Sequence, residues 1–292
     1  SLSSLSVGNG EFAYTVDATG LQTFPEVYKN GVPLGTQSQW GWHSFGNPEN
    51  YKPEEALVEY DFGHGHKELY ATQPKEPGRA KEASDWYRVN PHRLHLGIIG
   101  LELGNEVRPS DVQNIQQSLD MWNGIINSRF TLKETPYYIQ TVCHPERDMI
   151  AARLSARQPA SIKFHFPYPT GGHCDDACNW EANDKHSTTL ISEDAQSAVL
   201  KRTLDATTYY VTISWEGPAK LSEKSANYFV LTPTDSIFTF TCQFTPQVSA
   251  SPILTFTEVQ QVSSGHWKNY WTQGAVADFS QCTDAVSYTH LT

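Results

Sequence analysis

The chain has 292 residues and carries 32 acidic against 21 basic side chains, a formal net charge of −11. With no basic cluster to track phosphates, nucleic acid and anionic membrane surfaces are poor partners. No apolar run approaches the roughly 20 residues that span a bilayer. The opening "SLSSLSVGNGEF" lacks the charged and apolar regions of a signal peptide, so the chain reads as soluble or already processed.

Period-2 alternation begins at "EFAYTV", which places Phe12, Tyr14 and Val16 on one face of a strand. Residues 36–47, "TQSQWGWHSFGN", follow. Trp40 and Trp42 could share a strand face, but Gly41 and Gly46 and the Gly46-Asn47-Pro48 ending read as a surface loop. Aromatic faces beside amides and hydroxyls suit a sugar, and Gln37, Trp40, Trp42 and His43 are the candidate substrate-binding residues. The competing reading is a plug of rings packed for their area. Residues 67–85, charged and holding two prolines, read as a long solvated connection.

In "SDVQNIQQSLDMW" the residues Val112, Ile115, Leu119 and Trp122 have helical spacing, yet the stretch is assigned as a turn leading into a strand. Further alternation comes at "IKFHF", "YYVTISW" and "IFTFTCQF". Without interleaved long amphipathic helices, the expected fold is all-β, made of stacked antiparallel sheets in one large domain. Near the end, "SSGHWKNYW" predicts a helix with Ser264 as its N-cap and Trp267 and Trp271 as an i,i+4 pair.

The run "LDMWNGIINSRFTLKETPYYIQTVCHPERDMIAARLSA" (119–156) resembles the strand series in the N-terminal β-sandwich of glycoside hydrolase family 65 and related six-hairpin glycosidases. The blocks "GNGEFAYTVDATGLQTF", "TQSQWGWHSFGNPENY", "NPHRLHLGIIGLEL" and "HWKNYWTQGAVADFS" are similar to the Bacteroidetes type of that superfamily, and their order along residues 8–284 carries the resemblance. It implies a galactose-mutarotase-like antiparallel supersandwich over residues 1–262. It further implies a linker helix over 263–284 leading to an (α/α)6 domain that bears the catalytic carboxylates. Trp267, Tyr270 and Trp271 would form the interface with that domain. The family continues past "VDFS" to an aspartate-proline pair, whereas this chain has "ADFSQCTDAVSYTHLT"; residues 285–292 resemble translated adapter sequence and are expected to be a non-native tail. Export to the periplasm or the extracellular space is implied by the resemblance alone.

Glycoside hydrolysis needs two carboxylates within about 5–9.5 Å. Glu11, Asp17, Glu102, Asp120 and Asp148 are present, but both the residue pattern and the resemblance put catalysis elsewhere, so no catalytic residue is expected here. The loop "GGHCDDACNWEANDKH" could offer His173, Cys174, Cys178 and His186 to zinc, or Asp175, Asp176 and Asp184 to calcium, at spacings that match no known pattern. An exposed polar loop or a local Cys174–Cys178 disulfide is the better reading, and no metal is expected. Five cysteines, an odd and irregular set that includes Cys143, Cys242 and Cys282, make no disulfide scaffold. His64 and His66 are two ligands short of a metal site and read as a solvated turn, while His92 and His95, flanking Arg93 at a strand start, read as hydrogen-bonded structural residues. No cofactor fingerprint occurs. The leading expectation is a non-catalytic N-terminal domain of a glycoside hydrolase or phosphorylase, inactive alone, with carbohydrate and its own C-terminal domain as partners. A free-standing carbohydrate-binding module or lectin, and an aldose epimerase, are the alternatives.

Overall fold

A computed structural model describes residues 3–104, 106–173 and 175–274. Its strands are β1 (Leu5–Gly8), β2 (Phe12–Val16), β3 (Thr36–Ser38), β4 (Trp42–His43), β5 (Leu57–Asp61) and β6 (Lys67–Ala71), followed by helix α1 (Arg79–Val89). Then come β7 (His92–Arg93), β8 (Ile98–Leu101), β9 (Val112–Asp120), β10 (Ile125–Leu132), β11 (Thr135–Cys143), β12 (Met149–Ala156), β13 (Ile162–His165), β14 (Tyr168–Pro169) and β15 (Cys178–Asn179). The chain closes with β16 (His186–Glu193), β17 (Ser197–Leu204), β18 (Thr207–Glu216), β19 (Ala219–Ser225), β20 (Tyr228–Pro233), β21 (Ile237–Thr245) and helix α2 (Phe256–Gln273).

The architecture is an all-β antiparallel sandwich. One layer is an eight-stranded sheet in the order β16-β17-β18-β21-β12-β11-β10-β9. The facing layer holds a four-stranded sheet, β19-β20-β13-β8, and a three-stranded one, β1-β2-β3. These last two are joined where Gln22 N–H donates to the Ile99 carbonyl (2.8 Å) and Leu101 N–H donates to Thr23 Oγ1 (3.1 Å). Alternation decides which residues enter the core: Phe12, Tyr14 and Val16 from one layer meet Phe240, Cys242 and Phe244 from the other. Phe12 stacks on Phe244 with ring centres 6.0 Å apart.

The stretch 110–120 is a strand preceded by a 3-10 turn at Pro109–Asp111, as the turn-then-strand reading expects. Two expectations are corrected. Residues 67–85 are not a solvated connection, because Lys67–Ala71 pairs with β5 and Arg79 opens helix α1. That helix buries only Ala83 and Ser84, so its sequence carries little amphipathic signal. The terminal helix does not start at Ser264. Thr255 is its N-cap, accepting from Glu258 N–H, while Glu258 reaches back to the Thr255 N–H in a capping box. Ser264 lies inside the helix and donates to Asn123 Oδ1 (2.6 Å).

Helix α2 covers one end of the outer face of the large sheet, burying Phe256 and Val259 against Ile125, Val142, Met149 and Ala151. Its far end is set by Gly124, whose φ of +62° is a left-handed conformation that favours glycine. A Cβ there would lie 2.2 Å from the Trp267 indole and 2.9 Å from Ser263 Oγ. Gly124→Ala should therefore displace the Trp267 ring and lower stability by about 1–3 kcal/mol. Urea unfolding followed by tryptophan fluorescence checks both effects, and an unchanged midpoint and spectrum would show the contact to be slack. Residues 275–292, including the expected non-native tail, lie outside the described residues.

Candidate functional site

The segment 36–47 is not a free surface loop. Thr36–Ser38 pairs with β2, and Trp42–His43 pairs with β7 in the register Trp42↔Arg93 and His43↔His92. Between them the chain turns sharply, with Gly41 N–H donating to the Ser38 carbonyl (3.0 Å). One carboxylate oxygen, Asp148 Oδ2, fixes the turn by accepting from Ser38 Oγ (2.5 Å) and the Trp40 indole N–H (2.6 Å).

The four candidate sugar-binding residues divide in two. Trp40 is half-buried, its ring 5.9 Å from that of Tyr209, and its N–H is spent on Asp148. His43 is buried, bonded to His92 and Asp205. Gln37 and Trp42 are exposed, Trp42 to 46%. Alternation within β4 separates Trp42 from His43, while Trp40 lies in the turn between the strands, where Asp148 holds its indole.

Gln37 and Trp42 lie on a trough across the outer face of β1-β2-β3. One cleft, of about 550 Å³, runs from Gln37 and Arg93 to Trp267 and Trp271. A second, of about 520 Å³, runs from Gln37 and Arg93 to Trp42, Arg88 and His173. Ala13, Gln37 and Arg93 line both, so the clefts adjoin. Trp267 and Trp271 stack on each other (6.5 Å) one helical turn apart, and the Trp271 N–H donates to the Met121 carbonyl (2.8 Å). Both are half-buried, whereas Tyr270, packed edge-on against both indoles, is 57% exposed and does not line either cleft.

Sequence reasoning missed Arg93, which organises the trough. Its guanidinium lies over the Trp42 ring, 4.2 Å from the centroid, and donates to the carbonyls of Ser38 (2.8 Å) and Gln39 (2.9 Å). The only signal was the strand register, which needs the fold. Arg88 also enters, donating to His173 Nε2 (3.1 Å).

Most acids weighed from the sequence are held in structural roles. Asp17 is buried and accepts from Thr19 N–H, Thr19 Oγ1 and Phe24 N–H; burial pushes its carboxyl up despite those donors. Glu102 pairs with Lys224 and the Tyr228 hydroxyl, which together hold it below the usual range although burial opposes them. Asp120 accepts from Trp122 N–H (3.0 Å) and Asn123 Nδ2 (2.6 Å) within its own turn. Glu11, Asp175 and Asp176 reach the trough. Asp175 caps its loop at Ala177 N–H (2.8 Å), and Asp176 lies 3.7 Å from Lys29 Nζ.

The loop once weighed for metal is dispersed. His186 points into the core, where its Nδ1 accepts from Arg202 (2.8 Å), and Cys178 carries a free thiol. Cys174, and with it the Cys174–Cys178 pairing, lies outside the described residues. Among the described residues no group of three His, Cys, Asp or Glu side chains could hold a metal ion.

No family model matches this chain, and no curated protein matches it. Among solved structures it is similar to a human-microbiome protein assigned as a kojibiose phosphorylase, with a TM-score of 0.45 and 10% identity over 91% of this chain and 35% of that one. It is also similar to a bacterial glucoamylase complexed with acarbose, with a TM-score of 0.41 and 10% identity over 61% of this chain and 31% of that one. The chain thus spans about a third of the length of each. The likeness concerns the fold alone, and the functional reading rests on the trough.

Proposed function

We propose that this chain is a carbohydrate-binding, non-catalytic β-sandwich of a carbohydrate-active enzyme, the N-terminal domain of a glycoside hydrolase or phosphorylase acting on oligosaccharides. In this reading it supports an (α/α)6 domain and lends the Trp42 segment to the active-site rim. The observation that carries the reading is the pair of adjoining clefts, one lined by the Trp267 and Trp271 indoles and the other by Trp42, with the Gln37 amide and the Arg93 guanidinium lining both. A sugar ring stacks on an aromatic face while its hydroxyls need fixed donors and acceptors, which Gln37 and Arg93 supply. Tyr270, Trp122 and Met121, all more than half exposed and each in contact with Trp271, would form the patch on which the second domain sits. A periplasmic or extracellular setting belongs to the same proposal and rests on the resemblance.

The test is calorimetric titration of the chain with a panel of neutral oligosaccharides. Trp42→Ala should weaken binding about tenfold, matching the ~1–1.5 kcal/mol of one aromatic contact. The melting temperature should move little, because the ring is already half open to water. Unchanged binding with a stability loss of roughly 3–5 kcal/mol would make Trp42 a packing residue and end the reading.

A further inference from the structure

The ladder between β4 and β7 is two residues long, and its two pairs face opposite ways. Trp42 lies against Arg93 on the trough side, and His43 lies against His92 on the buried side. The inner pair belongs to a chain of hydrogen bonds. His92 Nδ1 is 2.7 Å from the Val89 carbonyl, His92 Nε2 is 3.0 Å from His43 Nδ1, and His43 Nε2 is 2.9 Å from Asp205 Oδ2. The same Asp205 oxygen accepts from the Tyr168 hydroxyl (2.7 Å).

Both ends of this chain, a carbonyl and a carboxylate, can only accept. Three bonds therefore need three protons, and two neutral imidazoles carry two. The Val89 bond places a proton on His92 Nδ1, so a neutral His92 accepts through Nε2. His43 must then donate through Nδ1, which leaves its Nε2 bare against the carboxylate. A third proton, resident on the imidazoles or shared with Asp205, completes the set.

We propose that the His92–His43–Asp205 chain binds one proton beyond those of neutral imidazoles, and that this proton locks the Trp42–Arg93 pair on the other face of the ladder. The lock engages in mild acid and loosens as the proton leaves. Burial pulls both histidines below their ordinary value, His92 also weighs against a charge on His43, and Asp205 pulls His43 back up. Uptake thus falls on the acid side of an ordinary histidine.

The groups that face the pair are few. Asp205 comes from the β17–β18 turn and Tyr168 from β14, with Lys185 5.6 Å above the Tyr168 ring and His186 5.8 Å from it. Phe45 packs on both imidazoles, at 5.2 Å and 4.8 Å. Arg93 is the nearest cation on the ladder and sits on the opposite face. Among the described residues Asp205 is therefore the single carboxylate bonded to the pair, and Asp205→Asn is the decisive change. Its amide donates to a bare Nε2 and removes the need for the third proton.

That the platform serves a sugar rests on the reading above; the coupling itself does not, and the experiment separates the two. The ring nitrogens of the 15N-labelled chain are followed by NMR from pH 7.5 to 5, together with the Trp42 indole N–H. His43 and His92 should titrate in one shared step, and the Trp42 resonance should move with the same midpoint. In Asp205→Asn the shared step should vanish and Trp42 should stay still. Independent titration of the two histidines, or a Trp42 shift that persists in Asp205→Asn, overturns the proposal. Maltoheptaose is then titrated calorimetrically at pH 7.5 and 5.5. Binding at least threefold tighter at the lower pH supports the coupling, and equal affinity at both counts against it. If the NMR coupling holds and maltoheptaose and the oligosaccharide panel bind at neither pH, the carbohydrate reading fails and the proton lock stands.

Discussion

Acidifying this protein from pH 7 to pH 4 should remove more than about 5 kcal/mol of its stability, because His95 and His186 are built to stay neutral. His95 Nε2 donates to the Leu34 carbonyl (3.1 Å) and its Nδ1 accepts from Gly97 N–H (3.1 Å), so a second ring proton would displace a backbone donor. His186 Nδ1 accepts from the Arg202 guanidinium, and the same conflict applies with a full positive charge opposite. Burial pulls each from 6.5 to about 4, with the Arg202 charge adding to the effect at His186. The unfolded chain takes up these protons below pH 6.5 while the folded one does not until about 4. Stability is therefore whole above 6.5 and is lost as the pH falls through that window, by about 3 kcal/mol per histidine. His165, also drawn down to about 4 by burial, acts in the same direction, and buried Asp17, whose pKa is raised, opposes it. Melting curves at half-unit pH steps measure the slope. His95→Gln should remove roughly half of the two-histidine effect, and a flat profile would mean that the imidazoles are not held neutral.

Arg202→Met should cost more than about 4 kcal/mol, with Arg202→Lys nearly as damaging. Arg202 is wholly buried on the core face of β17 and lies over the Phe166 ring, 5.0 Å from its centroid. Among the described residues no carboxylate bonds it. The guanidinium instead donates to Pro167 O (3.1 Å), Ser187 O (3.1 Å), Thr188 Oγ1 (2.8 Å), Asn227 Oδ1 (3.0 Å), the Tyr209 hydroxyl (3.4 Å) and His186. Methionine fills much of the volume but leaves the Pro167 carbonyl and His186 Nδ1 without the guanidinium's donors, each a desolvation penalty of about 1–3 kcal/mol, while Thr188, Asn227 and Tyr209 keep the bonds Thr188–Asn227 and Tyr209–Leu96. Lysine keeps the charge, but its compact ammonium cannot span acceptors set for a planar fork. Urea denaturation gives the difference. A loss below about 1 kcal/mol would show that water replaces the guanidinium without difficulty.

These two groups also show where the sequence stops being readable. Alternation placed Phe12, Tyr14, Val16 and the Phe240-to-Phe244 series correctly, because burying one face of a strand imposes a period of two on residue type. In β17 Arg202 shares that period with Ala198, Leu200 and Leu204. Nothing local distinguishes an inward arginine from an outward one, since its partners come from four other segments. Helix α1 was hidden for the opposite reason: Ala83 and Ser84 are its only buried residues, so it has almost no apolar stripe to display. At the site, the aromatic richness of 36–47 drew attention to Trp42 and Gln37. It could not separate them from Trp40 and His43, because Asp148 and Asp205, which turn those two inward, lie 108 and 162 residues away.

Those separations bear on how the trough comes into being. The hairpins of the large sheet join neighbours in the sequence, as β9 to β12 and β16 to β18 do, and so close short loops. The Trp40–Asp148 and His43–Asp205 bonds close loops an order of magnitude longer, whose entropy must be overcome before any contact is gained. Loop-closure entropy thus predicts that the N-terminal segment docks after those hairpins have formed. The trough is therefore expected to be completed late in folding, after the hairpins of the large sheet have paired.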